Sequence, residues 1–255
     1  MLNVEKPLVS IVMPVYNAEH LVADAIRSVQ AQTMGDWELF VIDDCSQDRT
    51  LEIAAEISKD DHRIHIEQNE KNACVAQSRN KGLSMCRGKY IAFLDSDDIW
   101  HPNKLETQIS CLEKNNADLV YTSYAIVDQE GKQRCRDYIV PETVSYEQLL
   151  KENVIGCSTV LLRHACVEEN RFDVTIFHED YALWLKLLRS GCRAVGVPEV
   201  LVDYYYHTDS KAGNKWTAAK YRWNIYRRYL KLSLWESVRY FCQYAVSGLR
   251  KYRSV

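Results

Sequence analysis

Short apolar runs alternate with helical periodicities along the first half of the chain. Residues 8–13 form a continuous apolar run, the pattern of a strand buried on both faces, and Pro14 ends it. Residues 18–32 place Leu21, Ala25, Ile26 and Val29 at helical spacing. Residues 37–42 read as a second strand, stopped by Asp43-Asp44, and Ser46 or Asp48 can cap a helix over Thr50–Ser58. A third strand over 64–67, a helix over Val75–Met85 and a fourth strand over 89–94 follow, the last stopped by Asp95-Ser96-Asp97-Asp98. Pro102 stands where a helix start tolerates proline, ahead of a helix over Lys104–Lys114, and Leu119–Val127 is a fifth strand. This alternation predicts right-handed crossovers and an α/β fold, with a Rossmann-like, mainly parallel sheet flanked by helices. Ligands of such sheets bind beyond the carboxyl ends of the strands, and both acidic clusters fall there.

The second half is less regular. Glu130-Gly131 suggests a turn, 158–162 a further strand, and 200–206 an extended piece. Residues 181–189 form a helix with Leu183, Trp184, Leu187 and Leu188 at helical spacing. Trp223, Tyr226, Leu230, Leu234, Val238, Phe241, Ala245 and Leu249 then recur in steps of three or four. They predict one amphipathic helix, or two broken near Ser233. The expected organisation is a catalytic unit over residues 1–212 and an amphipathic, basic helical extension over 213–255.

Charge sharpens that division. The net charge is −3, so a nucleic-acid partner is not expected, yet residues 215–255 hold ten Lys or Arg and one acid, Glu236. Nine cysteines without a C-x-x-C pair or Cys/His ligand spacing argue against a disulfide framework or a zinc site, and for a reducing cytosol. The first apolar run begins too early to leave room for a signal peptide, and no apolar stretch approaches the roughly 20 residues of a membrane-spanning helix.

Three strand ends carry residues suited to chemistry. In Asp95-Ser96-Asp97-Asp98, carboxylates at i and i+2 can converge on a hard cation such as Mg²⁺ or Mn²⁺, which often binds through one or two carboxylates plus substrate phosphates. The competing reading is a solvated turn in which Asp98 caps a helix. In Asp43-Asp44-Cys45-Ser46-Gln47-Asp48 a carboxylate could accept from a base N–H, or the cluster could be turn and cap chemistry alone. Tyr16, in Pro14-Val15-Tyr16-Asn17, could stack on a planar base, or simply pack beside a proline-terminated strand.

In this order the three elements resemble the family-2 glycosyltransferases, inverting enzymes of the GT-A fold. The resemblance is carried by Val9-Ser10-Ile11-Val12-Met13-Pro14-Val15-Tyr16-Asn17, Val41-Ile42-Asp43-Asp44-Cys45-Ser46-Gln47-Asp48, Ser78-Arg79-Asn80-Lys81-Gly82 and Gly88-Lys89-Tyr90-Ile91-Ala92-Phe93-Leu94-Asp95-Ser96-Asp97-Asp98. It covers residues 9–112 closely and reaches more loosely to about His207. The resemblance implies that Pro14, Val15 and Tyr16 line a nucleobase pocket, with Tyr16 against the ring. Asp44 would accept from the base N3–H, which suits uracil or thymine, and Arg79 would approach the base or the diphosphate. Asp95 and Ser96 would sit near the ribose, and Asp97, with Asp95, would hold Mn²⁺ or Mg²⁺. The family often has glycine where this chain has Cys74, which leaves a close backbone approach to the donor in question.

His178-Glu179-Asp180 resembles the family's Glu-Asp motif. Asp180 is then the catalytic base that deprotonates the acceptor hydroxyl, and Glu179 serves the acceptor or orientation. Without the resemblance, both acids are what any helix N-terminus prefers. His207 could complete the metal or diphosphate site, though a lone histidine is more often structural. The Gln-x-x-Arg-Trp motif of the family's processive synthases is missing, which favours single-sugar addition from a UDP-sugar. The family habit and the basic tail together imply a lipid-linked oligosaccharide acceptor, as in O-antigen, core or capsule assembly, and a cytoplasmic enzyme peripheral on the inner membrane. The tail's apolar stripe is expected to pack on the catalytic unit, or on a second subunit in a homodimer. Two rival readings are a nucleotidyltransferase, which would usually show a glycine-rich basic loop after the first strand, and an inactive nucleotide-binding module. A dehydrogenase is disfavoured because no G-x-G-x-x-G follows a strand.

Overall fold

Every residue of the first two strands is buried, as apolar runs demand when helices cover both faces of a sheet. The computed structural model describes residues 6–128, 131–205 and 215–253. Among them eight strands form one sheet: β1 (Val9–Val15), β2 (Trp37–Asp43), β3 (Ile64–Gln68), β4 (Tyr90–Phe93), β5 (Asp98–Trp100), β6 (Leu119–Val127), β7 (Leu161–Arg163) and β8 (Ala194–Tyr205). Their order across the sheet is β3-β2-β1-β4-β7-β6-β8-β5. β1 to β4 are mutually parallel, and β6 pairs parallel with β8. β7 lies antiparallel between β4 and β6, and β5 lies antiparallel on β8. The sheet is therefore mixed, with a parallel half that places the carboxyl ends of β1, β2, β3 and β4 along one edge.

Alternation along the strands divides the core in two. Val12, Phe40, Ile42 and Phe93 face α3 (Val75–Met85) and α7 (Glu179–Arg189). Ile11, Met13, Leu39 and Val41 face α1 (Val22–Gln30), α2 (Thr50–Ser58) and α4 (Lys104–Lys114). Gly82 lets α3 settle closely on β1, since a Cβ there would stand 2.5 Å from a Val12 methyl. In α4, Lys104 is fully buried, with Nζ 3.8 Å from the Trp100 ring centroid and donating to Gln108 at 2.7 Å. Burial holds its amine well below the usual lysine range. Gln108 in turn donates to the carbonyls of Val120 and Thr159, fixing the turn Cys157–Thr159 against α4.

Several elements depart from the periodicity. Pro14 does not end β1 but pairs within it, opposite Ile42. The Val15 carbonyl accepts from Asp44 on the β2 side and the Val12 carbonyl from Leu94 on the β4 side. Pro14 N therefore points to the β4 side, where pairing has already ended, and no ladder bond is missed. The α1 helix begins at Val22 rather than residue 18, after a chain reversal at Asn17, whose φ is 48°. Residues 158–162 are divided between the Cys157–Thr159 turn and β7.

The remaining helices are α5 (Tyr146–Lys151), α6 (Ala165–Glu168), α8 (Lys215–Asn224), continued by a π-helical turn over Ile225–Tyr229, and α9 (Leu234–Arg253). The tail is broken near Ser233 by a capping box, in which Ser233 N–H donates to Glu236 and Glu236 N–H donates to Ser233 Oγ. Ile225, Tyr226 and Leu230 join the core beside α7, and Tyr226 Oη donates to the Leu150 carbonyl at 2.5 Å. The break rotates the stripe that continued helical phase would have buried. Leu234 and Val238 are 58% and 40% exposed, while Tyr240 and Phe241 pack inward. Among the described residues no helix is long and apolar enough to cross a membrane.

Candidate active site

The acidic loop after β4 is held by a residue sixty positions downstream. Ser158 Oγ accepts from Asp95 N–H at 3.0 Å and donates to Asp98 at 2.5 Å, while its carbonyl accepts from Trp100 Nε1 at 2.9 Å. Asp98 is not a helix cap. It opens β5 and is buried, so the loop 95–98 is a tight excursion between two strands of the sheet. Burial drives its carboxyl well above the aspartate range, with the charges of Asp97 and Asp95 adding to the effect. Asp95, Ser96 and Asp97 remain half-buried at the strand-end edge.

Two strands away, about 10 Å across the sheet, Asp44 is buried at the end of β2. Its carboxylate accepts from Asn69 Nδ2 at 2.7 Å, from Ala73 N–H at 2.9 Å and from Cys74 N–H at 3.0 Å. Three donors on about four acceptor directions leave one for a further N–H. Cys74 itself adopts φ 92° and ψ 155°, a region in which glycine alone is unstrained, at a cost of roughly 1–3 kcal/mol for another residue. The cysteine thus takes the backbone shape expected of glycine. Asn17 and Ser46 tie this loop to the one after β1, through Asn17 N–H to Ser46 Oγ at 3.0 Å and Gln47 N–H to Asn17 Oδ1 at 2.8 Å. Ser46 therefore joins loops, whereas Asp48 accepts from Thr50 N–H at 3.0 Å at the start of α2. Of Pro14, Val15 and Tyr16, only Tyr16 offers side-chain surface, at 49% exposure. Val15 packs into the core at 2%.

Arg79 is 4% exposed and bridges two acids, donating through one terminal nitrogen to Asp95 and through the other to Glu179, each at 2.5 Å. Its Nε is buried without a hydrogen-bond partner among the described residues. Burial opposes its charge, but Asp95, Glu179 and Asp180 outweigh that and keep it firmly protonated. Next to it on α3, Asn80 clasps Phe172 at both ends, Nδ2 to the carbonyl at 2.8 Å and N–H to Oδ1 at 3.0 Å. One helix thereby fixes both the acidic loop after β4 and the segment leading into α7.

At that segment His178 adopts a left-handed φ of 66°, turning the chain into α7. Glu179 accepts from Arg79, and burial raises its carboxyl against the pull of Arg79. Asp180 is half-buried. Burial raises its carboxyl, Arg79 opposes the shift, and the charge of Asp95 adds to it, so the strand-end acid and the helix acid share one electrostatic environment. His207 lies outside the described residues.

The contacts of Ser158, Asn80 and Phe172 were not anticipated from the sequence. Asn80 stands inside the matched Ser78-Arg79-Asn80-Lys81-Gly82 stretch, which was its one available signal, while Ser158 carried none. Among the described residues no three His, Cys, Asp or Glu side chains form a ready metal cage. The pair Asp95 and Asp97 instead fits an ion that takes its remaining ligands from phosphate and water, as Mg²⁺ and Mn²⁺ do.

The chain is 37% identical over 246 residues to TuaG of Bacillus subtilis, named as a teichuronic acid biosynthesis glycosyltransferase, covering 96% of this chain and 98% of that one. It is 38% identical over 250 residues to the Escherichia coli UDP-Glc:alpha-D-GlcNAc-diphosphoundecaprenol beta-1,3-glucosyltransferase WfgD, covering 96% and 95%. The fold matches Staphylococcus aureus TarS 1–349 in complex with UDP, with a TM-score of 0.68 at 18% identity over 94% of this chain and 71% of that one. Residues 10–165 match the domain of glycosyl transferase family 2, and the chain belongs to that family.

Proposed function

We propose that this glycosyltransferase moves one sugar from a UDP-sugar to a carbohydrate hydroxyl on a lipid-linked glycan, inverting the anomeric carbon. Residues 1–212 would be the catalytic unit and 213–255 its extension. The observation that carries the reading is the Asp95–Arg79–Glu179 bridge, which sets the donor-side acids and the base-bearing helix at a fixed separation. Tyr16 stacks on the uracil ring and Asp44 accepts its N3–H. Asp95 and Asp97 would hold Mg²⁺ or Mn²⁺ with the donor's phosphates, and the bound ion supplies charge neutralisation of the leaving diphosphate. Asp180 takes the proton of the acceptor hydroxyl as its oxygen bonds to the anomeric carbon. The bond from that carbon to the phosphate oxygen breaks, its electron pair leaving on UDP. The UDP complex of a fold relative and the UDP-Glc donor and GlcNAc-diphosphoundecaprenol acceptor of WfgD support the choice of substrates.

The test is UDP release across UDP-sugars with Mn²⁺ or Mg²⁺, with and without a lipid-linked GlcNAc acceptor. Acceptor-dependent UDP is expected, and pyrophosphate would point to a nucleotidyltransferase instead. In Asp97→Ala, metal-dependent UDP binding measured by calorimetry is expected to disappear, and unchanged affinity would sink the metal assignment.

The same chain would work at a membrane surface. Leu234, Trp235 and Val238 stand 58%, 85% and 40% exposed on one face of the start of α9, beside exposed Arg227, Arg228, Lys231 and Arg239. That combination suits an anionic bilayer interface. Co-sedimentation with vesicles containing phosphatidylglycerol is expected, weakening about tenfold in Trp235→Asp and falling with salt. Equal sedimentation by the variant would remove this surface from consideration.

A further inference from the structure

We propose that a cavity between the segment preceding α7 and the α8–π-turn corner is the subsite for the acceptor's phosphorylated sugar; the proposal rests on the transferase reading above. The cavity measures about 340 Å³, at the small end of the roughly 300–1,000 Å³ of small-molecule sites. It is lined by Asp173, Phe177, Tyr221, Asn224, Arg228 and Tyr229, among others.

Position argues first. Phe177 forms its wall and stands three residues before Asp180, with only the reversal at His178 and Glu179 between them. One wall of the cavity is therefore continuous in the chain with the residue proposed as the base. Two larger cavities among the described residues lie elsewhere. That of about 750 Å³ is built on α4 and residues 193–198 at the start of β8, the sheet edge opposite the acidic loop. That of about 410 Å³ lies between residues 144–147 and 188–192, at the far end of α7.

Chemistry argues second. Phe177 and Tyr221 stack with centroids 4.3 Å apart at 23°, and His178 meets Phe177 edge-on at 4.7 Å, an aromatic cluster that gives this wall apolar surface for the C–H face of a pyranose. Asp173 Oδ1 accepts from Thr175 Oγ1 at 2.6 Å and from Thr175 N–H at 2.9 Å, which ties one oxygen of this acid to its own loop. Arg228 makes no ion pair among the described residues and is the cation of the lining, the residue type suited to a phosphate or diphosphate. Asn224 adds an amide for sugar hydroxyls.

Backbone argues third. Leu230 N–H bonds the Ile225 carbonyl at 2.9 Å, closing the wide π turn. Such turns recur at functional sites, and this one brings Asn224, Ile225, Arg228 and Tyr229 to the same cavity. The ligand class is a sugar carrying a phosphate at its reducing end, with Arg228 on the phosphate and the aromatic wall on the ring.

The test uses two soluble acceptors without vesicles, so that membrane affinity plays no part: an N-acetylhexosaminyl diphosphate with a short alkyl chain, and the matching alkyl glycoside without phosphate. Wild type is expected to prefer the diphosphate acceptor in KM, by about tenfold, the worth of one charge-assisted contact. In Arg228→Ala and Arg228→Gln that preference is expected to vanish, with UDP affinity unchanged. Preference retained in both variants, or lacking in wild type, overturns the subsite while leaving the transferase reading intact. A wild type that binds UDP and releases none with either acceptor or with the lipid-linked one overturns both.

Discussion

Replacing Asp180 by Asn is expected to leave UDP and metal binding intact and to lower kcat by about 10²–10⁴-fold, the worth of a positioned general base. Asparagine keeps the size and the helix-start position of the side chain but cannot take a proton. The pH profile gives a second reading. Burial raises the Asp180 carboxyl and Arg79 opposes the rise, leaving it above the ordinary 3.8. A base works only when ionised, so kcat/KM should climb as pH rises through that raised value and level off above it. The acid limb should therefore begin above the usual aspartate range and be lost in Asp180→Asn. Full transfer by the variant, measured as UDP release against acceptor, would refute the assignment.

Arg79→Met is expected to have the largest effect on stability. The guanidinium is buried between Asp95 and Glu179, each 2.5 Å away, and methionine leaves two carboxylates facing one another without a cation. Breaking a buried pair in this way costs about 3–5 kcal/mol, which for a chain of this size corresponds to a fall in Tm of roughly 6–20 °C. The physical origin is the stranded charge, not the lost packing. Arg79→Met combined with Glu179→Gln should therefore be more stable than Arg79→Met alone, a coupling that a double-mutant cycle reads directly. Equal melting temperatures for wild type and Arg79→Met would show that the bridge does not hold the two halves of the site together. Arg79→Lys is expected to fall between, because one ammonium cannot reproduce a fork that serves two acids.

The same residue marks where reading from the sequence stops. The motif containing Arg79 was visible, and its expected role was at the base or diphosphate. Its actual partners are 16 and 100 positions away, and it serves them with almost no exposed surface. Asp98 shows a similar divergence. As a polar residue after an apolar run it reads as turn or cap, but Ser158 and β8 draw it into the sheet as the first residue of β5. Cys74 differs in kind: the sequence flagged it as a substitution for glycine, and the backbone there is indeed glycine-like, with the cysteine in a strained conformation.

What the sequence by itself determined is the α/β class, the parallel half of the sheet and the placement of two acidic clusters at strand ends. These follow from hydrophobic period and from polar residues that stop strands, both local properties that a window of a dozen residues contains. The tertiary structure alone decided that β7 enters antiparallel between β4 and β6, that the tail's stripe changes face at Ser233, and which donor meets each carboxylate. A strand neighbour or a hydrogen-bond partner is selected by packing among segments far apart in the chain, and no local pattern records that choice.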